Sequence, residues 1–396
     1  MSKTFLHGIE TIEIDGGTRP IRTVKSAVIG LIGTAPEADD TLFPVNTPVL
    51  IPGTPRAAQP LGDKGTLKVA LDAIFDQAGA MVVVVRVDEG ADDAATLTNV
   101  LGDAASGTGV HTFLAAESVV KASPRLLCAP GFTGTFNGGS SVNPVVAELQ
   151  GLAEKMRAIV IADGPNTTAI DAIAYRETLG SDRVFVVDPG VKVWDPATKA
   201  NAVQPASARV AGMIAKRDAE KGFWWSPSNQ PVNGIVGTAR PVAFHMSDPA
   251  SEANRLNEKC VATIVQKNGY RLWGNRTTAT DPTWAFLSVR RTADMIYESI
   301  EEAFLWAMDR PMSANLVLDI QESVGSYLRH LKAVGAILGG SCWLDPELNS
   351  KEQLMAGKLY LDFDIEPPAP LEHLTFRAHR DNGHYTELVN QVLSAS

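Results

Sequence analysis

The sequence predicts an α/β fold continued by an α+β portion. From Arg125 onward, strand and helix patterns alternate: Arg125 to Ala129, Val142 to Arg157, Ala158 to Ala162, Thr168 to Leu179 and Arg183 to Val187. Such alternation implies a parallel sheet flanked by helices, because parallel strands need a long crossover between them. Met81 to Val87 is a nearly continuous apolar run, as in a strand buried on both faces. In the last third, two helical patterns precede two strands, which is the α+β order.

Taken in order, Phe5 to Asp15 is strand-like and rich in isoleucine, and the flexible Gly16-Gly17-Thr18-Arg19-Pro20 follows it. Ile12 and Ile14 share a strand face, whereas Ile9 has the opposite parity, so a regular strand needs a bulge or apolar contacts on both sides. Val24 to Thr34 and Val49 to Ile51 read as strands. Thr66 to Ala78 reads as a helix with Leu67, Ala70, Leu71, Ile74 and Phe75 on one face. Asp88 to Gly109 reads as a surface connection, and Thr112 to Val120 as a short amphipathic helix. Pro205 suits the first turn of a helix running to about Lys221, with strands at Val261 to Val265 and Tyr270 to Trp273. Trp284 to Arg290 is expected as a strand, Thr292 to Met308 and Ala314 to Lys332 as helices separated by Pro311, and Ala336 to Leu344 and Lys358 to Ile365 as strands. Pro367-Pro368-Ala369-Pro370 stiffens the exit of the chain, and Leu374 to Arg380 alternates as an edge strand. After Asn382, the residues Tyr385, Leu388, Val389, Val392 and Leu393 fit helical spacing, while Leu388, Asn390 and Val392 equally line one strand face. Either way, a tail so apolar is expected to pack on its own body or on a neighbour.

A chain of 396 residues, 45% hydrophobic, can bury a substantial core and divides into two or three domains. The net charge of -10 and the lack of a Lys/Arg run argue against nucleic-acid binding. Cys128, Cys260 and Cys342 are odd in number and far apart, as suits thiols in a reducing compartment. Met1 to Gly8 lacks a hydrophobic signal core, and the apolar run Met81 to Val85 is too short to span a bilayer, so the chain is expected to be made in the cytoplasm without membrane insertion.

Enzyme signatures are weak. Gly30-Leu-Ile-Gly33 after a strand has the incomplete spacing of a dinucleotide loop and is better explained as a turn. Asp163 and Asp188 follow parallel strands, where hydrolases place carboxylates, but the adjoining Gly-Pro and Pro-Gly pairs make turns the simpler explanation. His373, His379 and His384 lack the Cys or carboxylate partners of a metal set. No G-x-S-x-G elbow, Cys-His arrangement or P-loop is present. No catalytic residue, metal or cofactor is expected. Four of the seven tryptophans, Trp224, Trp225, Trp273 and Trp284, sit among Gly, Pro and Asn, which points to a rigid packing surface.

Four ordered blocks carry a more specific signal: Leu152 to Asn166, Val184 to Asp195, Gly222-Phe-Trp-Trp-Ser-Pro-Ser-Asn229 and Gly269-Tyr-Arg-Leu-Trp-Gly-Asn-Arg-Thr277. Together they resemble the contractile tail sheath proteins of myophages and R-type pyocins, over nearly the whole chain. The resemblance implies a virion or pyocin-like particle component that polymerises as stacked rings around a tail tube and contracts to drive that tube through a cell envelope. It implies an inner α+β domain with terminal strand-exchanging arms and an inserted outer α/β domain with a mostly parallel sheet. On this sequence the expected boundaries are 1–22 for the amino-terminal arm, 23–110 with 285–370 for the inner domain, 111–284 for the outer domain and 371–396 for the carboxyl-terminal arm.

The implied partners are other copies of the chain, the tail tube protein, and the baseplate and tail terminator proteins, with no nucleic acid. The inter-subunit arms would use Phe5, Leu6, Ile9, Ile12 and Ile14 at one end, and Leu374, Phe376, Tyr385, Leu388, Val389, Val392 and Leu393 at the other. Gly16, Gly17, Pro367 and Pro368 would be the hinges. A donated strand of about eight ladder hydrogen bonds at roughly 0.5 to 1.5 kcal/mol each, with a few buried Ile or Leu side chains, would hold neighbours by several kcal/mol. Contraction would follow if the outer surfaces bury about 200 Å² more apolar area per subunit, or roughly 5 kcal/mol. Grip on the tube is expected at the basic end of the Ala314 to Lys332 helix, at Arg329, His330 and Lys332, where a solvated helix terminus is the plainer reading. The alternatives are a sheath of another contractile injection system, such as a type VI system built from two chains, and an α/β enzyme.

Overall fold

The computed structural model describes residues 20–136 and 138–395; the expectations for Phe5, Leu6, Ile9, Ile12, Ile14, Gly16 and Gly17 lie outside them. The main body is an eight-stranded sheet built from β1 (Ile29–Thr34), β2 (Pro48–Pro52), β3 (Met81–Val87), β4 (Leu126–Cys128), β5 (Ile159–Asp163), β6 (Val184–Val187), β10 (Val261–Gln266) and β11 (Tyr270–Trp273). Its order is β11-β10-β6-β5-β4-β1-β3-β2. The six inner strands pair parallel, and an antiparallel strand closes each edge. A smaller sheet of β7 (Val191–Asp195), β8 (Ala200–Gln204) and β9 (Gly237–Thr238) lies beside it.

Strand alternation sorts the core into two layers. Leu126 and Cys128 face α1 (Leu67–Phe75) and α6 (Ser207–Lys221), while Leu127 and Ala129 face α4 (Pro144–Met156), α5 (Ala169–Glu177) and the 3-10 turn Gly109–Ala115 that leads into α3 (Ala116–Val120). α7 (Glu252–Glu258) adds Leu256 to the second layer. Within the expected surface connection 88–109 lies α2 (Asp93–Leu101), whose Asp92 carboxylate accepts from the Ala95 N–H as an N-cap and which buries Thr96 and Val100.

β1 pairs β4 at Ile29–Leu126, Gly30–Leu127 and Leu31–Cys128, so one sheet runs across the boundary expected at residues 110 and 111. Gly30 and Gly33 lie inside β1 and form neither a turn nor a loop. A Cβ at Gly30 would meet Leu127 and Phe113 at 2.9 Å, and one at Gly33 would meet Thr66 Oγ1 at 2.2 Å, which explains glycine at both positions by close packing.

The carboxyl third is a separate layer of α8 (Leu287–Ala303), α9 (Ala314–Ala333), β12 (Gly339–Leu344), α10 (Lys351–Met355) and β13 (Leu361–Glu366), followed by α11 (His384–Ser394). Its core joins Met295, Ile296, Val324, Tyr327, Leu328, Leu331 and Ile337 with Phe223, and Ile21 and Val24 pack on it. The strand expected at Trp284 to Arg290 is instead a 3-10 turn, Pro282–Trp284, and the start of α8. Asp281 caps that turn through the Thr283 N–H, and Leu287 through Ile296 are buried on every side, which mimics a buried strand in a short window.

Candidate assembly interface

α8 fastens the carboxyl third to the sheet body through charges on successive turns. Arg290, Asp294, Glu298 and Glu301 recur at helical spacing, with Arg291 beside them. Asp294 accepts from Arg183 at 2.7 and 3.0 Å and from Arg290 at 2.8 Å, Glu301 accepts from Arg157 at 2.8 and 2.5 Å, and Glu298 pairs with Arg125. Burial pulls the Arg125 guanidinium down to about 10. At Arg183 burial acts in the same direction, but hydrogen bonding to Asp294 and its charge outweigh it and hold the group above its ordinary value. Partners so distant in sequence left no signal beyond the carboxylate spacing on α8.

Asp163 and Asp188, the two carboxylates that follow parallel strands, are both held by donors of the chain itself. Asp163 Oδ1 accepts from the Ala206 and Ser207 N–H groups at 2.8 Å, and Oδ2 accepts from the Ser207 hydroxyl at 2.5 Å, so it satisfies the amino-terminal end of α6. Burial pushes its carboxyl up to about 6 against those bonds. Asp188 accepts from the Asn166 N–H at 2.8 Å and pairs with Arg240 at 2.5 Å. Among the described residues, no group of three His, Cys, Asp or Glu side chains could hold a metal, and no helix is long and apolar enough to cross a membrane. The tryptophans are packed by neighbours: Trp224 stands edge-on to Phe223 at 5.1 Å, Trp273 to Phe244 at 5.0 Å, and Arg217 and Arg290 lie over Trp225 and Trp284 at 4.7 and 4.3 Å.

The β12–β13 hairpin is a sheet of two strands. The two strands pair antiparallel from Gly339–Glu366 to Leu344–Leu361 and have no third strand among the described residues. Asp364 braces the pair by accepting from the Ser341 N–H and hydroxyl at 2.5 and 2.7 Å, and the hydroxyl's bond is the main reason its carboxyl sits below the ordinary range. Trp343 and Leu344 stand exposed. Next to the hairpin, between α8 and α9, opens a groove of about 590 Å³ lined by Phe304, Met308, Met312, Leu316, Cys342 and Phe363 among others.

Beyond the hairpin, Pro367 is buried, Pro368 is half-buried and Glu372 accepts from Arg276 at 2.9, 3.2 and 2.5 Å. The exit is therefore held to the body through Glu372, which lies beyond the Pro367 and Pro368 expected as hinges. Residues 373–395 are all exposed. Leu374 to Arg380 has no strand partner among the described residues, and Phe376 is 86% exposed. The ambiguous tail is the helix α11, not a strand: Tyr385, Leu388, Val389, Val392 and Leu393 share one face, and none is buried. The residues expected to face a tube, Arg329 and Lys332, end α9 in the open with His330, and Arg329 pairs with Glu322 at 2.5 Å.

Three family models match in chain order: the Gp18 domain III N-terminal region of tail sheath protein at residues 26–87, the phage tail sheath protein central domain at 105–278 and the phage tail sheath C-terminal domain at 279–380. A Pseudomonas aeruginosa (strain UCBPP-PA14) protein named as a prophage major tail sheath protein is 40% identical, with 98% of this chain and 99% of its own covered. The tail sheath protein of Escherichia phage P2 is 37% identical over the same shares of the two chains. Among solved structures, the contracted helical sheath of the anti-feeding prophage is similar in fold at 22% identity, with a TM-score of 0.70 over 96% of this chain and 100% of that one. With its models spanning most of the sequence and relatives matched end to end, the chain belongs to the phage tail sheath protein family.

Proposed function

We propose that this sheath subunit of a phage tail or pyocin-like particle polymerises by donating its chain ends to the β12–β13 hairpins of neighbouring copies, and that the joined lattice contracts. The observation that carries the reading is the hairpin itself. A two-stranded sheet is marginal in water, and its unpaired backbone edges are templates for an added strand. The chain offers an alternating, fully exposed segment at Leu374 to Arg380 and an isoleucine-rich one at Phe5 to Asp15. The two strands carry Asp362, Asp364 and Glu366 with no Lys or Arg, whereas 373–380 carries Arg377 and Arg380 with no carboxylate. Opposite charge therefore favours this pairing.

In this reading, Gly16, Gly17 and the stretch after Glu372 let the bodies turn while the donated strands stay paired. The rigid body is the sheet fastened to α8, and its turning changes only contacts between outer surfaces. Arg329 and Lys332 face the tail tube, and the end rings meet baseplate and terminator proteins. The role is structural, with no catalytic step. The test is assembly of chains starting at Arg22 or stopped after Glu366, followed by electron microscopy. Both are expected to remain folded and unassembled. Cylinders of normal form from either chain would overturn the strand exchange.

A further inference from the structure

Two uncovered apolar surfaces of this chain match each other, and pairing of Leu374 to Arg380 with the hairpin covers neither. One is the groove between α8 and α9, whose wall is continued by Cys342, Leu361 and Phe363 of the hairpin. The other is the apolar face of α11, where Tyr385, Leu388, Val389, Val392 and Leu393 lie at i, i+3, i+4, i+7 and i+8 and are each more than half exposed. Glu387, Asn390 and Gln391 occupy the opposite face of that helix, so a groove could take the apolar side while the polar side stays in water.

We propose that α11 of one subunit docks in the α8–α9 groove of another copy. The inference rests on the strand-exchange reading and extends it. A strand of seven residues, Leu374 to Arg380, matches the six-residue strands of the hairpin in length. Only Asp381 to Gly383 separate it from α11, and Leu361 and Phe363 of the hairpin line the groove. Charge attraction between Arg377 or Arg380 and the acidic hairpin lays the strand down, and the helix that follows arrives beside the groove. Donor and acceptor are different patches of the same chain, so the contact is heterologous and propagates from copy to copy, as a sheath requires. Such a helix-in-groove contact is an established mode of peptide recognition.

The test is oxidative cross-linking of assembled sheath made from full-length Cys342→Ser chains, which lack the native thiol of the groove wall, carrying both Leu388→Cys and Met312→Cys, two exposed positions that leave the core unchanged. A ladder of covalent oligomers on a non-reducing gel is expected, and it should be absent from each single variant. A cross-linked monomer of altered mobility, or no cross-link beyond that of the single variants, would overturn docking on a second copy. Chains stopped after Asn382 separate this contact from strand exchange. They keep residues 373–382 and are expected to build sheaths that dissociate at distinctly lower denaturant. An unchanged dissociation midpoint removes the helix contact and leaves strand exchange standing. Normal assembly of chains stopped after Glu372 would remove strand exchange by the carboxyl-terminal arm as well.

Discussion

Arg291 on α8 and Asp218 on α6 form a two-pronged ion pair of 2.9 and 2.5 Å with both side chains 3% exposed, and the same guanidinium donates to the Ser26 carbonyl at 3.1 Å. Ser26 in turn donates its hydroxyl to Asp218 at 2.6 Å. The segment entering the sheet, the helix on its face and the carboxyl-terminal layer thus meet at one buried charge pair. Asp218→Ala leaves Arg291 charged and buried, and should lower subunit stability by about 3–5 kcal/mol in urea unfolding. The pair Asp218→Leu with Arg291→Met should recover most of that loss. If the double variant is no more stable than the single, the loss comes from packing and not from the orphaned charge.

Asp163 gives a pH dependence of defined sign. Its folded carboxyl titrates at about 6, above the 3.8 of an exposed aspartate, so its contribution to stability is fully present below the lower value and is lost as pH rises through the upper one. Asp163→Asn does not titrate and keeps one oxygen for the Ala206 and Ser207 N–H groups. Relative to wild type, the variant should gain about 1–3 kcal/mol between pH 4 and pH 7 in chemical unfolding. A difference that stays flat over this range contradicts the assignment.

Gly33→Ala inserts a methyl where Thr66 Oγ1, which accepts from the Thr34 N–H at 3.0 Å, already stands. The strained fit and displaced hydrogen bond should cost about 1–3 kcal/mol. Unfolding midpoints measure it, and a neutral result would mean that Thr66 can turn away without loss.

Trypsin should cut free subunits first at Arg377 and Arg380, which lie in an exposed stretch without secondary structure, and leave the body intact. Assembled sheath should resist at both sites. Equal cleavage rates in the two forms would show that the arm stays uncovered in the lattice.

The central strands and the long helices were legible because their apolar periods are strong: Met81 to Val87 is buried almost throughout, and Ala314 to Ala333 follows its expected span. α2 escaped because only Leu97, Val100 and Leu101 mark its apolar face, although the capping Asp92 was a readable sign. The hairpin of β7 and β8 was hidden by the Asp195 turn, held by the Ala197 N–H and the Thr198 hydroxyl, with Trp194 and Val203 facing out. Pairing of Leu31 with Cys128 or of Arg291 with Asp218 depends on contacts between distant segments, which no local period encodes. Leu374 and Phe376 were legible as one face of an alternating segment, whereas pinning of the exit by Arg276 and Glu372 needed the fold.

Strand exchange at the hairpin is tested most directly by a cryo-EM map of the assembled sheath, traced around β12 and β13. The account predicts a sheet of more than two strands, with the hairpin flanked by extended segments belonging to other copies, one of them containing Leu374 and Phe376. A hairpin whose outer edges face solvent, or are covered by its own chain, would contradict it.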